Sequence, residues 1–244
     1  MKTKFNYSVI LAIIFSISTA FSVSAQQRTN LLDKMNNADW KALNIFFSNF
    51  CETNFNDFNA KSYDEKVLIE HALYHNVVNS SNSFKNDPAT GDKYLTKATV
   101  DATIMKAFGI SGIKAKDFEA DFFACKGGKY YWLDIFEGSP WFAGGQVIEF
   151  YENGDGTYSA IIENYSDSSE YQEYISGLEY SSKSSKSPFY SPKKTWKKGL
   201  EKYYKLDGYH AAKVAPQTYN NKATYKLLGW KSAETLKEAQ NSIK

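Results

Sequence analysis

The spacing of apolar residues changes once along this chain, from a helical period before Gly112 to an alternating period after it. Apolar residues three or four positions apart mark one face of a helix, whereas alternation marks a strand with one buried face. Helical segments followed by a run of strands indicate an α+β fold with an antiparallel sheet. We therefore predict N-terminal helices packed on a curved antiparallel sheet of about six to eight strands, built from hairpins.

Three segments have helical spacing, and they cover residues 39–54, 64–79 and 97–108. Asp39 is a suitable N-cap for the first segment, because an Asp side chain accepts a hydrogen bond from the free backbone N–H groups of a first turn. Gly109 is a suitable end for the third segment, because glycine readily adopts the left-handed conformation that often follows a helix.

Turn residues punctuate the alternating part of the chain at 126–128 and at 153–156. Each turn lies between two runs of aromatic and β-branched residues, which predicts a hairpin. Two further strands are predicted on either side of residues 220–221, and residues 170–180 are a candidate for one more. Residues 192–205 are ambiguous, because Pro192, Trp196, Leu200 and Tyr203 favour a helix while Gly199 weakens it.

The two halves are expected to form one folding unit, because no linker separates them. Residues 26–244 are predicted to be a single α+β domain, with a helical part at about 30–112 and a strand-rich part at about 115–231. A chain of this size buries a substantial core without help from disulfides or metals.

The first 25 residues have the pattern of an export signal. Lys2 and Lys4 precede an apolar run from Val9 to Phe21, and a set of small residues ends at Ala25. A signal peptidase recognises this order, so we predict cleavage after Ala25. The apolar run is shorter than the roughly 20 residues that span a bilayer, and we predict no transmembrane segment in the mature chain. We expect the mature protein in the periplasm or outside the cell.

The charge of the mature chain gives no indication of nucleic acid binding. Without Lys2 and Lys4, 27 basic residues remain against 27 acidic ones, whereas nucleic acid binding needs concentrated positive charge. The charge is unevenly placed, since residues 117–180 hold 13 acidic and 2 basic residues, and residues 181–244 hold 14 basic and 4 acidic ones. We interpret this as acidic and basic strands that pair with each other. The alternative is a surface with one acidic and one basic region that binds a charged partner.

Four stretches of the chain resemble a group of uncharacterised exported bacterial proteins, many of which look like lipoproteins. They read "LNIFFSNFCETNF", "EKVLIEHALYHNVVNS", "YLTKATVDATIMKAFGI" and "KATYKLLGW". The resemblance implies an envelope location and no particular activity or site residue. This chain departs from the group because its first cysteine is Cys51, far from the export signal, so the resemblance implies no lipid anchor here.

Two of the three histidines, His71 and His75, are four positions apart in "IEHALYH". On a helix they share one face, with Cβ atoms about 6 Å apart, and such a pair can bind Zn²⁺. A zinc enzyme also needs a third ligand and a general base, and neither is visible nearby, although His210 or a distant carboxylate remains available. The interpretation that we favour is packing of both rings at the edge of a core.

The two cysteines, Cys51 and Cys125, raise the question of a disulfide in an exported protein. Cys51 falls on the apolar face of the first helix, and Cys125 is at a hairpin end. Because spacing alone does not establish the close Cα approach that a bridge needs, we expect free thiols rather than a disulfide.

Aromatic residues in two loops are candidates for ligand binding. Trp141 and Phe142 lie in the glycine-rich stretch "GSPWFAGGQ", and Phe189, Tyr190 and Trp196 lie in "SPFYSPKKTW". Exposed rings beside lysines can stack on sugars or hold a peptide, so glycan, peptidoglycan and peptide are candidate partners. The alternative is that these rings cover the end of a strand-rich core.

Export without a complete set of catalytic residues favours a non-enzymatic binding protein of the cell envelope. We predict no cofactor and no catalytic residue for this chain. The alternative hypothesis is a metal-dependent hydrolase that uses His71 and His75, since these are the only residues with a metal-ligand spacing.

Overall fold

The computed structural model describes residues 28–114, 117–120, 123–133, 143–167, 191–196, 198 and 200–243. Within them the protein has four α-helices and two antiparallel sheets of five strands each, which confirms the α+β class. The export signal predicted for residues 1–25 and the candidate strand at 170–180 lie outside the described residues.

The helices are α1 (Asn37–Glu52), α2 (Glu65–Asn79), α3 (Lys97–Phe108) and α4 (Leu236–Ser242). α1 begins earlier than the sequence predicted, because Asn36 rather than Asp39 is its N-cap and accepts hydrogen bonds from the first-turn N–H groups. Gly109 ends α3 in the left-handed conformation, with φ 65°, as predicted. No helix in the described residues is long and apolar enough to cross a membrane.

The larger sheet consists of β1 (Phe58–Asn59), β7 (Ala143–Glu152), β8 (Tyr158–Asp167), β9 (Tyr204–Tyr219) and β10 (Lys222–Ala233). Their order in space is β1-β10-β9-β8-β7, so β7 is an outer strand. β9 and β10 join at Asn220 and Asn221, which both have positive φ. A two-residue hairpin turn needs positive φ at both positions to match the twist of its strands.

The smaller sheet consists of β2 (Lys85–Asn86), β3 (Lys93–Thr96), β4 (Phe118–Glu119), β5 (Phe123–Lys126) and β6 (Lys129–Trp132). Their order is β2-β3-β6-β5-β4. The prediction of a single sheet was therefore wrong. β1, β2 and β3 lie within the part that was predicted to be helical, and strands of two to four residues are too short to show an alternating period.

The acidic and basic segments of the chain meet inside the larger sheet. β8, from the acidic segment, pairs antiparallel with β9 from the basic segment. Ion pairs accompany this arrangement, between Lys213 and Asp155 at 3.0 Å and between Lys193 and Glu163 at 3.2 Å. Residues 192–205 are mostly neither helix nor strand: they contain two short 3-10 helices, at Lys193–Thr195 and Leu200–Tyr203, before β9 begins.

One continuous cluster of buried apolar side chains joins the three long helices to both sheets. α1 lies against β7, α2 and α3 contact each other, and α3 also contacts β10. The aromatic residues of the chain are concentrated in this core, where Phe50 alone touches the rings of Phe46, Phe55, Phe108 and Trp230.

Side chains of α1 complete the hydrogen bonds along the outer edge of β7. Asn44 is fully buried, and its amide both donates to the Gly145 carbonyl at 3.0 Å and accepts from the Val147 N–H at 2.7 Å. Ser48, one turn later, accepts from the Gly145 N–H at 3.1 Å. An outer strand normally presents such groups to another chain, so these bonds protect the edge as well as fixing the helix.

Asn30 continues this protection beyond a β-bulge. The register between β7 and β8 shifts at Ile148, which re-aims the following backbone groups of β7. The Asn30 amide donates to the Ile148 carbonyl at 3.2 Å and accepts from the Phe150 N–H at 3.1 Å. The segment before α1 is thereby attached to the same strand as α1 itself.

Gly145 permits the close approach of α1 to β7. A Cβ atom at this position would lie 2.9 Å from Cys51 Sγ, 3.1 Å from Ile162 Cγ2 and 3.2 Å from the Cα of Ser48. These distances are shorter than ordinary contacts, so a side chain here would push the helix off the strand.

We expect Asn44→Ala to lower the free energy of unfolding by about 2–4 kcal/mol, because it leaves a carbonyl and an N–H of β7 buried without partners. Urea unfolding measures this loss. Asn49→Ala, on the same helix but partly exposed, is the control and is expected to cost under about 0.5 kcal/mol. Equal losses in the two variants would contradict the role given to Asn44.

Candidate functional site

His71 is a core residue rather than an exposed ligand. Its side chain is 3% exposed, and its ring stacks on Phe50 with centroids 4.8 Å apart. The rings of Phe55 and Phe108 meet it edge-on at 5.0 and 5.2 Å. Its Nδ1 lies 2.9 Å from the hydroxyl of Thr53. Burial lowers the pKa of His71 well below 6.5, so the ring is neutral at pH 7.

His75 borders a small cavity between α1, α2 and α3, which we call the helix hollow. The helix hollow has a volume of about 30 Å³, and His71, Asn49, Thr103 and Lys106 also line it. This is room for one or two water molecules and not for a substrate. Burial, followed by the charge of Lys106, lowers the pKa of His75 to about 4.

The third histidine is separated from this pair by two aromatic rings. His210, on β9, stacks on Trp230 with centroids 4.5 Å apart, and Trp230 contacts Phe50 at 5.4 Å. Phe50 in turn stacks on His71. Burial lowers the pKa of His210 to about 4, against the opposing charge of Asp57. His210 therefore lies at the far end of a row of rings from His71, where it does not share a metal with it.

The surroundings of His71 and His75 do not resemble a zinc site. Within the described ranges, no group of three or more His, Cys, Asp or Glu side chains is placed to hold a metal ion. The charged residue that faces His75 in the helix hollow is Lys106, and an ammonium group repels a cation. The two rings are packed at the junction of three helices.

The cysteines are buried free thiols in different parts of the fold. Cys51 faces Gly145 of the larger sheet, whereas Cys125 belongs to β5 of the smaller sheet. Burial raises the pKa of both thiols, and the charge of Glu52 raises that of Cys51 further. A nucleophilic cysteine needs a lowered pKa, so neither position has the environment of one.

Asp87, Lys129 and Tyr131 form a polar cluster on the smaller sheet. Asp87 Oδ2 accepts hydrogen bonds from Lys129 Nζ at 2.8 Å and from the Tyr131 hydroxyl at 2.7 Å. These bonds lower the pKa of Asp87 to about 2 and raise the pKa of Lys129 and of Tyr131. Each pKa moves away from 7, whereas a general acid or base needs one near the working pH, so the cluster is structural.

A larger cavity, the β7 groove, lies where α1 meets β7. Its volume is about 280 Å³. It is lined by residues from three parts of the chain: Asn30, Leu32, Asp33, Met35, Asn37 and Trp40; residues 146–148 of β7; and residues 192–194. Leu32, Met35 and Val147 contribute apolar surface, and amide and charged side chains surround it. A mostly apolar lining with a few polar groups is the usual character of a small-molecule site, and this volume is at the lower end of the usual range.

Gln146 holds residues 192–194, which form one wall of the β7 groove, in place. Its side chain is 1% exposed; its amide oxygen accepts from the Lys193 N–H at 3.1 Å, and its amide nitrogen lies 3.4 Å from the Ser191 carbonyl. Trp196 fixes the same segment from the other side by donating its indole N–H to the Ser191 carbonyl at 3.1 Å. The groove is thus bounded by segments that are attached to β7.

Trp40 lines the β7 groove although its side chain is only 5% exposed. In the part of the chain that the structure describes, its indole N–H has no hydrogen-bond partner, yet this nitrogen is not among the polar atoms closed off from solvent. An indole N–H usually finds a partner when it is buried. An aromatic side chain that lines the groove therefore has an unused hydrogen-bond donor.

The aromatic residues predicted to bind a ligand are only partly described. Trp141, Phe142, Phe189 and Tyr190 lie outside the described residues. Trp196 is half-buried and packs against Tyr165 and Tyr204 at centroid distances of 5.9 and 5.7 Å. It supports the wall of the β7 groove and is not one of the side chains that line it.

The sequence pointed to the loop that contains Lys193 and Lys194, but it did not identify the β7 groove. Trp40 has helical spacing with Leu43 and Phe47, which indicates the apolar face of α1 where it lies, but this spacing gives no sign that it also meets a cavity. The available signal was the polar pair Asn44 and Ser48, which share the face of α1 that carries Trp40 at spacings of four. Buried polar residues on an apolar helix face mark a contact with backbone groups.

Comparison of the chain with protein-family models, characterised protein sequences and solved structures found no match. The function must therefore be argued from the geometry of its own residues.

Stability is expected to fall as the pH is lowered from about 6.5 to 4. An unfolded histidine binds its proton near pH 6.5, and the folded pKa values of His75 and His210 are about 4. Below pH 6.5 the unfolded chain therefore binds more protons, and each histidine lowers stability by up to about 1.4 kcal/mol per pH unit until its folded pKa is reached.

Urea unfolding at several pH values between 4 and 7 measures this dependence. His75→Gln is expected to make the slope shallower by the contribution of one histidine, and Tyr74→Phe, its neighbour on α2, is expected to leave the slope unchanged. A His75→Gln variant with the slope of the unsubstituted protein would show that His75 is not held neutral by the fold.

Proposed function

We propose that this chain is exported and acts as a non-enzymatic binding protein of the cell envelope, with a small polar ligand held in the β7 groove. The observation that supports this proposal is Trp40, which lines the groove and whose indole N–H has no hydrogen-bond partner in the described part of the chain. A ligand that supplies an acceptor to this N–H gains a hydrogen bond inside a mostly apolar cavity, where such a bond is stronger than in water.

The shape of the β7 groove favours a small ligand or the end unit of a polymer over an added peptide strand. Asn30, Asn44 and Ser48 already occupy the outward backbone groups of β7 between Gly145 and Phe150. An extended peptide would have to displace them before it could pair with this edge, whereas a compact ligand uses the cavity as it stands.

The groove is also preorganised for binding. The segments that line it are held to β7 by hydrogen bonds that the buried or half-buried amide oxygens of Asn30, Asn44 and Gln146 accept from backbone N–H groups. A site that needs little rearrangement loses less conformational entropy when it binds, which leaves more of the contact energy as affinity.

The export signal at residues 1–25 and the resemblance to exported bacterial proteins support a location in the periplasm or outside the cell. Glycans, peptidoglycan fragments and short peptides are the polar ligands that this location offers. The hydrolase alternative has less support, because His71 and His75 line a helix hollow with room for only one or two water molecules.

We expect the purified mature protein to bind at least one member of a panel of small glycans, peptidoglycan fragments and short peptides. Trp40→Phe keeps an aromatic ring but removes the N–H donor, so it is expected to weaken binding about 3- to 10-fold, as for the loss of one hydrogen bond. Titration calorimetry measures the affinity, and tryptophan fluorescence follows the same titration.

Trp132→Phe, on β6 of the smaller sheet, is the matched control and is expected to bind as the unsubstituted protein does. The proposed function is wrong if no member of the panel binds, or if the two variants weaken binding equally.

A further inference from the structure

The unused polar groups of the β7 groove are mainly hydrogen-bond donors. The amides of Asn30 and Gln146 are occupied by backbone groups of β7 and of residues 191–193. The Lys193 ammonium is occupied by Glu163 at 3.2 Å and by the hydroxyl of Tyr165. Trp40 and Lys194 remain as donors, Asp33 remains as an acceptor and Asn37 as both, and none of the four side chains has a hydrogen-bond or ion-pair partner in the described part of the chain.

Lys194 differs from its neighbour Lys193 in this respect. Both belong to the short 3-10 helix Lys193–Thr195, and both line the β7 groove, but only Lys193 is neutralised by a carboxylate. Lys194 is therefore an ammonium group without a carboxylate at ion-pair distance, on a wall whose backbone is fixed by Gln146. Such a group favours a ligand group of the opposite charge.

Asp33 limits how much negative charge the ligand carries. Its carboxylate lines the same groove and repels a second negative charge, so a dianionic phosphate monoester is disfavoured. The described lining also contains no arginine, the residue that binds phosphate through two parallel hydrogen bonds. A monoanion that also offers an N–H or O–H to Asp33 fits the groups present.

We propose that the β7 groove recognises a ligand with a single carboxylate, an inference that rests on the proposed function. The carboxylate pairs with the Lys194 ammonium. An uncharged acceptor beside the carboxylate accepts a hydrogen bond from the indole N–H of Trp40. Sugar acids and the C-terminal end of a short peptide both have this chemistry. Acetamido and peptide carbonyl oxygens supply the second acceptor in either case.

Two pairs of probes test this proposal, and the members of each pair differ in the presence of a carboxylate. N-acetylmuramic acid is compared with N-acetylglucosamine, and N-acetyl-alanine is compared with N-acetyl-alaninamide, by titration calorimetry at pH 7 and low salt. We expect the acid of at least one pair to bind about tenfold more tightly than its neutral counterpart, as for one charge-assisted hydrogen bond. The pair that responds identifies the source of the carboxylate.

Lys194→Met is expected to remove this preference, so that acid and neutral probe bind equally. Lys34→Met is the control, since Lys34 is an exposed lysine of the neighbouring 3-10 helix that does not line the groove, and the preference is expected to remain. Circular dichroism establishes that both variants are folded, as expected for substitutions of exposed lysines.

The outcomes separate this inference from the proposed function. If acid and neutral probes bind equally to the unsubstituted protein, carboxylate recognition is wrong and the binding function stands. If the preference persists in Lys194→Met, the carboxylate binds elsewhere and the inference is wrong. If neither the probes nor the wider ligand panel bind, both proposals are wrong.

Discussion

The attachment of α1 to β7 is the contact on which the rest of the site depends. Trp40, Asn44 and Ser48 are spaced by four residues and therefore lie on one face of α1. Asn44 and Ser48 complete the backbone hydrogen bonds of β7, and Gly145 lets the helix come close enough for them to do so. These bonds hold the helix at a fixed register on the strand. Trp40, one turn earlier, is thereby placed where it lines the groove.

Local periodicity was enough to predict the fold class but not the pairing of the strands. The bounds of α2 and α3, including the end at Gly109, follow from apolar spacing and capping residues that are close together in the sequence. The division into two sheets does not, because it depends on β3 pairing with β6 across more than 30 residues. Short strands such as β2 carry too few residues for any period to be visible.

The β7 groove could not be predicted from local sequence patterns for the same reason. Its lining residues come from three parts of the chain, between residues 30 and 40, at 146–148 and at 192–194, which no spacing rule connects. The histidines show the opposite case, because a local spacing indicated a metal site while the tertiary surroundings decide the chemistry. His71 is enclosed by Phe50, Phe55 and Phe108, and His75 faces Lys106, so burial and charge keep both rings neutral. A pair of imidazoles on one helix face is therefore compatible with packing alone.

Trp230 and Trp40 both have an indole N–H without a hydrogen-bond partner in the described part of the chain, but only that of Trp40 is a candidate for ligand binding. Trp230 Nε1 has no partner within the described residues and is closed off from solvent, between the rings of Phe50 and His210. Its N–H lowers stability by the desolvation cost of about 1–3 kcal/mol, and no ligand can reach it. Trp40 Nε1 is equally without a protein partner, but it remains accessible beside a cavity of about 280 Å³. A ligand that supplies an acceptor to this N–H would also contact the apolar wall, and this combination is the physical basis of our proposal that the β7 groove binds a ligand.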